Sequence, residues 1–177
     1  VQNDSFGGAD LTRTYFRCWF RLQQLDLYAL WYTNDYQGFW LDSSGRLPAY
    51  LRASELEAFC HAQAIDLFEE EPILHDLDRV LRWSESESEE PDCKEVLKAW
   101  NLCNDLRCTI LGEEIYSSEL NAGPLYEKVY FGTNPKVFNQ NGPPYLPSWT
   151  RTEIDELKRI IRNGLAVFVD RLLIIRK

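Results

Sequence analysis

The sequence holds no apolar run approaching the roughly 18 to 20 residues that a membrane-spanning helix needs, and a place in the bilayer is not expected. It is poor in histidine, with two imidazoles, His61 and His75, so nucleophile–base–acid catalysis has few sources for its base. Neither GxGxxG nor GxxxxGK[ST] occurs, which leaves no Gly-rich loop to cradle a phosphate. There is no CxxC pair either. The five cysteines, Cys18, Cys60, Cys93, Cys103 and Cys108, match no common zinc spacing, and reduced thiols with no bound metal are the expectation. No cofactor is implied. The opening VQNDSFGGAD lacks the basic and apolar regions of a signal peptide. It reads as a flexible leader over 1–13 before a single domain over 14–177, in the cytoplasm.

What the sequence has in excess is acid. The net charge is -9, and ten acids stand against two bases between Glu69 and Asp92, while the rest of the chain holds 18 acids and 17 bases. Almost the whole imbalance thus belongs to one segment. Such a field repels nucleic acid and anionic membranes and attracts cationic partners. Its densest part is RWSESESEEPDC, Arg82 to Cys93, where glutamates alternate with serines. A solvated linker is the plain reading of a charge run. Two features point further: the acidity is local, and Trp83 and Trp100 stand near its two ends, a composition common at interaction hot spots. Glu85, Glu87, Glu89, Glu90 and Asp92 are therefore the candidate partner-binding carboxylates, with Trp83 as an apolar anchor.

The apolar pattern predicts an α+β fold: an N-terminal antiparallel sheet of three or four strands with about four helices packed on one side. TYFRCWFRL alternates, and Phe16, Cys18, Phe20 and Leu22 should face the core. LDLYALWY is apolar on both faces, as a central strand would be, and GFWLD over 38–42 makes a third strand. A short segment over 65–69 is a further strand candidate. Capping-box spacings at Ser54–Glu57, Asp92–Glu95 and Thr150–Glu153 predict three helix starts. A shorter helix carries Leu74, Leu77, Val80 and Leu81, so the acidic stretch connects two helices. Residues 110–125 are ambiguous, and 125–131 is either strand or helix. The last helix carries its apolar stripe as far as Leu172, and Gly164 within it calls for close packing against a neighbour or a local break.

Residues 132–149, GTNPKVFNQNGPPYLPSW, read as a long ordered loop, with Phe138, Tyr145 and Trp149 pinning it to the body. They supply an alternative: a small enzyme with its pocket at this loop, Asn134, Asn139 and Asn141 for polar contacts and Tyr145 as a proton donor. Glu113–Glu114 and Glu69–Glu71 read as solvated surface. An acidic adaptor, or an inhibitor mimicking DNA, is a further alternative.

DLDRVLRW, DCKEVLKAWNLCND, LYEKVYFGTN and YLPSWTRTEIDELKRIIRNGL together resemble small acidic bacterial immunity proteins of toxin–immunity systems. The resemblance implies a non-enzymatic cytoplasmic protein that occludes the active site of a basic, often nuclease-type, toxin domain. It carries no functional motif over to particular residues. The partner to expect is a basic protein, with neither nucleic acid nor membrane as a ligand.

Overall fold

The computed structural model describes residues 13–87, 90–112, 123–136 and 143–176. Among the described residues the fold is α+β, with six strands and five helices. The leader expected over 1–13 lies, up to Thr12, outside them.

β1 (Thr14–Leu22) and β2 (Leu25–Thr33) form a long antiparallel hairpin, Leu22 opposite Leu25. Its two-residue turn places Gln23 and Gln24 at φ +55° and +61°, the left-handed region that favours Gly or Asn. The turn is held from outside. Asp78 accepts the Gln23 and Gln24 backbone N–H groups at 2.8 and 2.7 Å.

β2 is central, as its two apolar faces predict. β3 (Gln37–Phe39) and β4 (Leu47–Tyr50) pair with it antiparallel. β5 (Leu74–Asp76) joins β1 in parallel, and β6 (Leu172–Ile175), from the far end of the chain, joins β4 in parallel. The sheet is therefore mixed and larger than expected, in the order β5-β1-β2-β4-β6 with β3 beside β2. The segment over 65–69 contributes one isolated bridge, Tyr15 to Leu67.

Helices cover both faces, where one was expected. α1 (Ala53–Ala62) lays Leu56 and Cys60 on the face bearing Tyr15, Leu30, Tyr32 and Tyr50. Its cap lies two positions before the predicted Ser54: Arg52 is the N-cap, its N–H donating to Glu55, and Glu57 instead pairs with Arg17 at 2.6 Å. On the opposite face lie α2 (Leu77–Glu85), α3 (Cys93–Leu111) and α5 (Arg151–Arg171). Cys18, Phe20 and Leu22 point into that core as the alternation predicts, and Phe168 sets its ring edge-on to Phe20 and Phe39 at 5.2 and 5.6 Å. α4 (Pro124–Gly132) resolves the strand-or-helix ambiguity in favour of helix.

The caps at Asp92 and Thr150 form as predicted, each side-chain oxygen accepting from the backbone N–H three residues on. Gly164 is the close approach between α3 and α5: a Cβ there would lie 2.8 Å from Cys103 Cβ. α5 stops at Arg171, and Leu172 belongs to β6.

Candidate functional site

The acidic connection begins where α2 ends. The last carbonyls of a helix have no partner within it, and here two cations of α5 supply one: Arg162 Nη1 donates to Ser84 O at 2.9 Å and Lys158 Nζ to Ser86 O at 2.7 Å. Lys158 is buried, and its ammonium stands 5.5 Å from the centre of the Trp83 ring. The serines are not idle spacers. Ser84 is buried with its hydroxyl on Leu81 O, and the Ser86 hydroxyl donates to Trp83 O.

At its other end the connection closes on Asp92, which caps α3 through the Glu95 N–H and pairs with Arg79 at 2.9 Å. Between these anchors Glu85, Glu87 and Glu90 are exposed. They form no ion pair among the described residues, and Glu89 lies outside those residues. Trp83 is half-buried against the main core with its Nε1 unpartnered, so much of the ring serves to fasten α2. Of the six candidates, then, three described glutamates face solvent, Asp92 is committed to the backbone and to Arg79, and Trp83 is shared with the core.

Other acids of the segment are likewise bound to backbone. Asp76 caps α2 through the Arg79 N–H, and Asp78 ties down the hairpin turn. Those acids are structural ligands. Glu69, Glu70 and Glu71 are exposed at the segment's start, one strand and one helix away from the junction.

A second site, not anticipated from the sequence, opens near these glutamates. A cavity of about 470 Å³ lies between the middle of α3 and the β1–β2 hairpin. Phe16, Cys18 and Trp31 line its sheet side, Leu102 and Asp105 its helix side, and Glu70, Glu71 and Ile73 its rim. Phe16, expected in the core, is half-buried in this wall. Its ring lies 5.4 Å from Trp31, its aromatic neighbour in the lining, and 5.2 Å from Phe68, which packs on Phe16 from outside the lining.

Asp105 is the unusual member. It is 4% exposed, and its recorded hydrogen bond is from Trp31 Nε1 to Oδ2 at 3.0 Å. Burial pushes its carboxyl from 3.8 up to about 6, against the pull of the Trp31 hydrogen bond. The nearby cations are already engaged: Lys98 with Glu95 at 2.9 Å, and Arg17 with Glu57 and Glu70 O. His75 lines the same cavity with its Nδ1 buried and unpartnered, and burial, followed by the Lys98 charge, holds it below the usual imidazole range. No sequence signal marks Asp105: it lies on the side of α3 away from Val96, Trp100 and Cys103, with Asn101 and Thr109 one turn to either side, where a solvated acid is the ordinary expectation.

The other chemical candidates disperse. His61 is exposed on α1, while all five cysteines are free and buried. Burial raises every one of these thiols, Cys60 to about 11 and Cys103 to about 12. A raised thiol holds little thiolate at neutral pH and is a poor nucleophile. Among the described residues no group of three or more His, Cys, Asp or Glu is arranged to hold a metal ion.

In the 132–149 loop, Asn134 is spent on the loop itself, bonding Gly132 O and both backbone groups of Tyr145. Tyr145 is exposed. Phe138, Asn139 and Asn141, like Glu113 and Glu114, lie outside the described residues. Two further cavities, of about 670 Å³ and about 310 Å³, lie between α3 and α5 and at the start of α4, and none of the described residues of the 132–149 loop lines any of the three. No helix among the described residues is long and apolar enough to cross a membrane.

No protein-family model matches the chain, and no curated protein matches it. Among solved structures, the C-terminal domain of SatS in complex with bromine aligns over 93% of this chain and 94% of that chain, with 13% identity and a TM-score of 0.45. A likeness of that depth carries no argument about fold or function.

Proposed function

We propose that the protein is a non-enzymatic binding module for a basic protein, acting through the acidic junction between α2 and α3 in the manner of a cytoplasmic immunity protein that occludes a nuclease-type toxin domain. The observation that carries the reading is the fastening of the junction at both ends. Lys158 and Arg162 hold the carbonyls at its start, and Arg79 and the α3 amide hold Asp92 at its finish. A tethered connection presents its glutamates at less conformational cost than a free one, because part of the ordering entropy is already lost before the partner arrives.

The same anchors temper the field. Lys158, Arg162 and Arg79 offset part of the local negative charge, so the attraction belongs to Glu85, Glu87, Glu89 and Glu90 and not to the full acidic segment. Clustered carboxylates of this kind act chiefly on the rate of encounter, and their effect fades as salt is added. The immunity assignment itself rests on the resemblance of DLDRVLRW, DCKEVLKAWNLCND and the C-terminal helix sequence to that group of proteins.

The test is to isolate the partner from the native host and compare its association rate with the wild-type protein and with Glu85→Gln/Glu87→Gln/Glu89→Gln/Glu90→Gln, from about 50 to 300 mM salt. The expected result is a roughly tenfold or greater loss of association rate at low salt, and a flatter salt dependence. Equal rates and equal slopes for the two proteins reject the junction as the contact surface.

A further inference from the structure

We propose that the cavity between α3 and the β1–β2 hairpin binds an organic cation, an ammonium or guanidinium group carried on an apolar stem, with Asp105 as its counter-charge. The proposal stands on four observations made at one place. First, the cavity's volume of about 470 Å³ falls within the range of small-ligand sites. Second, Asp105 is a nearly fully buried carboxylate whose recorded partner is one neutral donor, the Trp31 indole. A buried anion needs a cation or several hydrogen bonds to offset its desolvation, and the one it has falls short.

Third, the protein's own cations do not serve it. Lys98 is held by Glu95, and Arg17 by Glu57 and the Glu70 carbonyl. His75, the remaining basic group in the lining, is held toward its neutral form by burial and by Lys98. Fourth, the approach combines apolar and acidic surface. Phe16 and Trp31 form the aromatic side, and Ile73, 65% exposed, stands on the rim with Glu70 and Glu71. Aromatic faces and carboxylates together select cations with an apolar body over anions and over neutral molecules.

Such a group has two possible sources: a free small amine, or a Lys or Arg side chain of a protein partner. The second source rests on the binding function proposed above. The first does not. The rim glutamates belong to the segment that ends in the acidic junction, and nine residues of α2, about 13 Å of helix, separate β5 from that junction. A single basic partner is thus able to reach both.

The experiment follows the Trp31 indole N–H in NMR spectra, assigned with Trp31→Phe, while the protein is titrated with phenethylamine, with phenethyl alcohol, and with an acetyl-Gly-Lys-Gly-amide peptide. A saturable shift with phenethylamine and none with the alcohol is expected. Asp105→Asn, which keeps an oxygen for the indole but loses the charge, should weaken amine binding at least tenfold. Glu70→Gln/Glu71→Gln, changed only at exposed positions, should weaken it a few-fold by removing attraction at the rim.

A peptide shift at the same resonance assigns the site to a partner's side chain, and an amine shift without one assigns it to a small molecule. Both outcomes support a cation site. Equal binding of amine and alcohol, or unchanged amine affinity in Asp105→Asn, overturns it. The junction variant with four glutamates replaced should bind phenethylamine as the wild type does, so failure of the cavity and failure of the junction are read separately.

Discussion

Asp105→Asn should make the protein more stable at neutral pH, although it removes a buried charge that accepts a hydrogen bond. Burial raises the Asp105 carboxyl from 3.8 to about 6 in the folded state. The folded protein therefore holds this proton more tightly than the unfolded chain does. Its contribution is fully favourable below about pH 4 and is lost as pH rises through about 6, where the folded protein must bury a bare carboxylate. At about 1.4 kcal/mol per pH unit, the gap corresponds to about 3 kcal/mol against folding at pH 7.

Asparagine retains an oxygen for the Trp31 indole and does not titrate, but its amide brings N–H groups that need partners of their own. The net expectation is a gain of about 1–3 kcal/mol at pH 7, or several degrees in Tm for a chain of this size. It should shrink toward zero by about pH 4. Urea unfolding of both proteins at pH 7, 5.5 and 4, with the m-values compared, measures it. A variant less stable than the wild type at pH 7, or a difference that does not vary with pH, would refute the assignment of Asp105 as an uncompensated buried acid.

Four further substitutions probe how the fold and the junction are held in place. Asp78→Ala strands two turn amides and should cost about 2–4 kcal/mol in chemical unfolding, whereas Gln24→Gly, relieving a φ of +61°, should return about 0.5–1 kcal/mol. Gly164→Ala should destabilise by about 1–3 kcal/mol despite the better helix former, because its methyl meets Cys103 at 2.8 Å; a rise in stability would mean that α3 and α5 yield at no cost. Lys158→Met removes the bond to Ser86 O and the cation beside Trp83, so amide exchange at the end of α2 should quicken by about tenfold or more, and unchanged exchange would show that the junction is fastened without it.

How much of this was legible in the sequence depended on whether the deciding interaction was local. β1 and β2 announced themselves through alternation and two-sided apolarity, and the caps at Asp92 and Thr150 are three-residue motifs complete in themselves. The Ser54–Glu57 box failed because Glu57 is claimed by Arg17, forty positions away. β4 and β6 were invisible for a related reason. LPAY contains a proline, and LLII continues the apolar stripe of α5; LPAY is held as a strand by β2 on one side and by β6 on the other, with Leu47 opposite Leu172 across the length of the chain.

Charge counting overstated the acidic surface for the same cause. Asp76, Asp78 and Asp92 look identical to solvated acids in sequence, but their carboxylates bind backbone amides. Asp105 errs in the opposite direction: with Asn101, Asn104 and Thr109 near it on the helix it looks like a solvated acid, and only folding against Trp31, 74 positions away, buries it at a cavity.

The most direct measurement of the central claim is hydrogen exchange of the protein with and without its isolated partner. Protection concentrated in residues 84–92, with the four-glutamate variant losing it, is the predicted result. Unchanged exchange in that junction while another surface becomes protected would contradict the account.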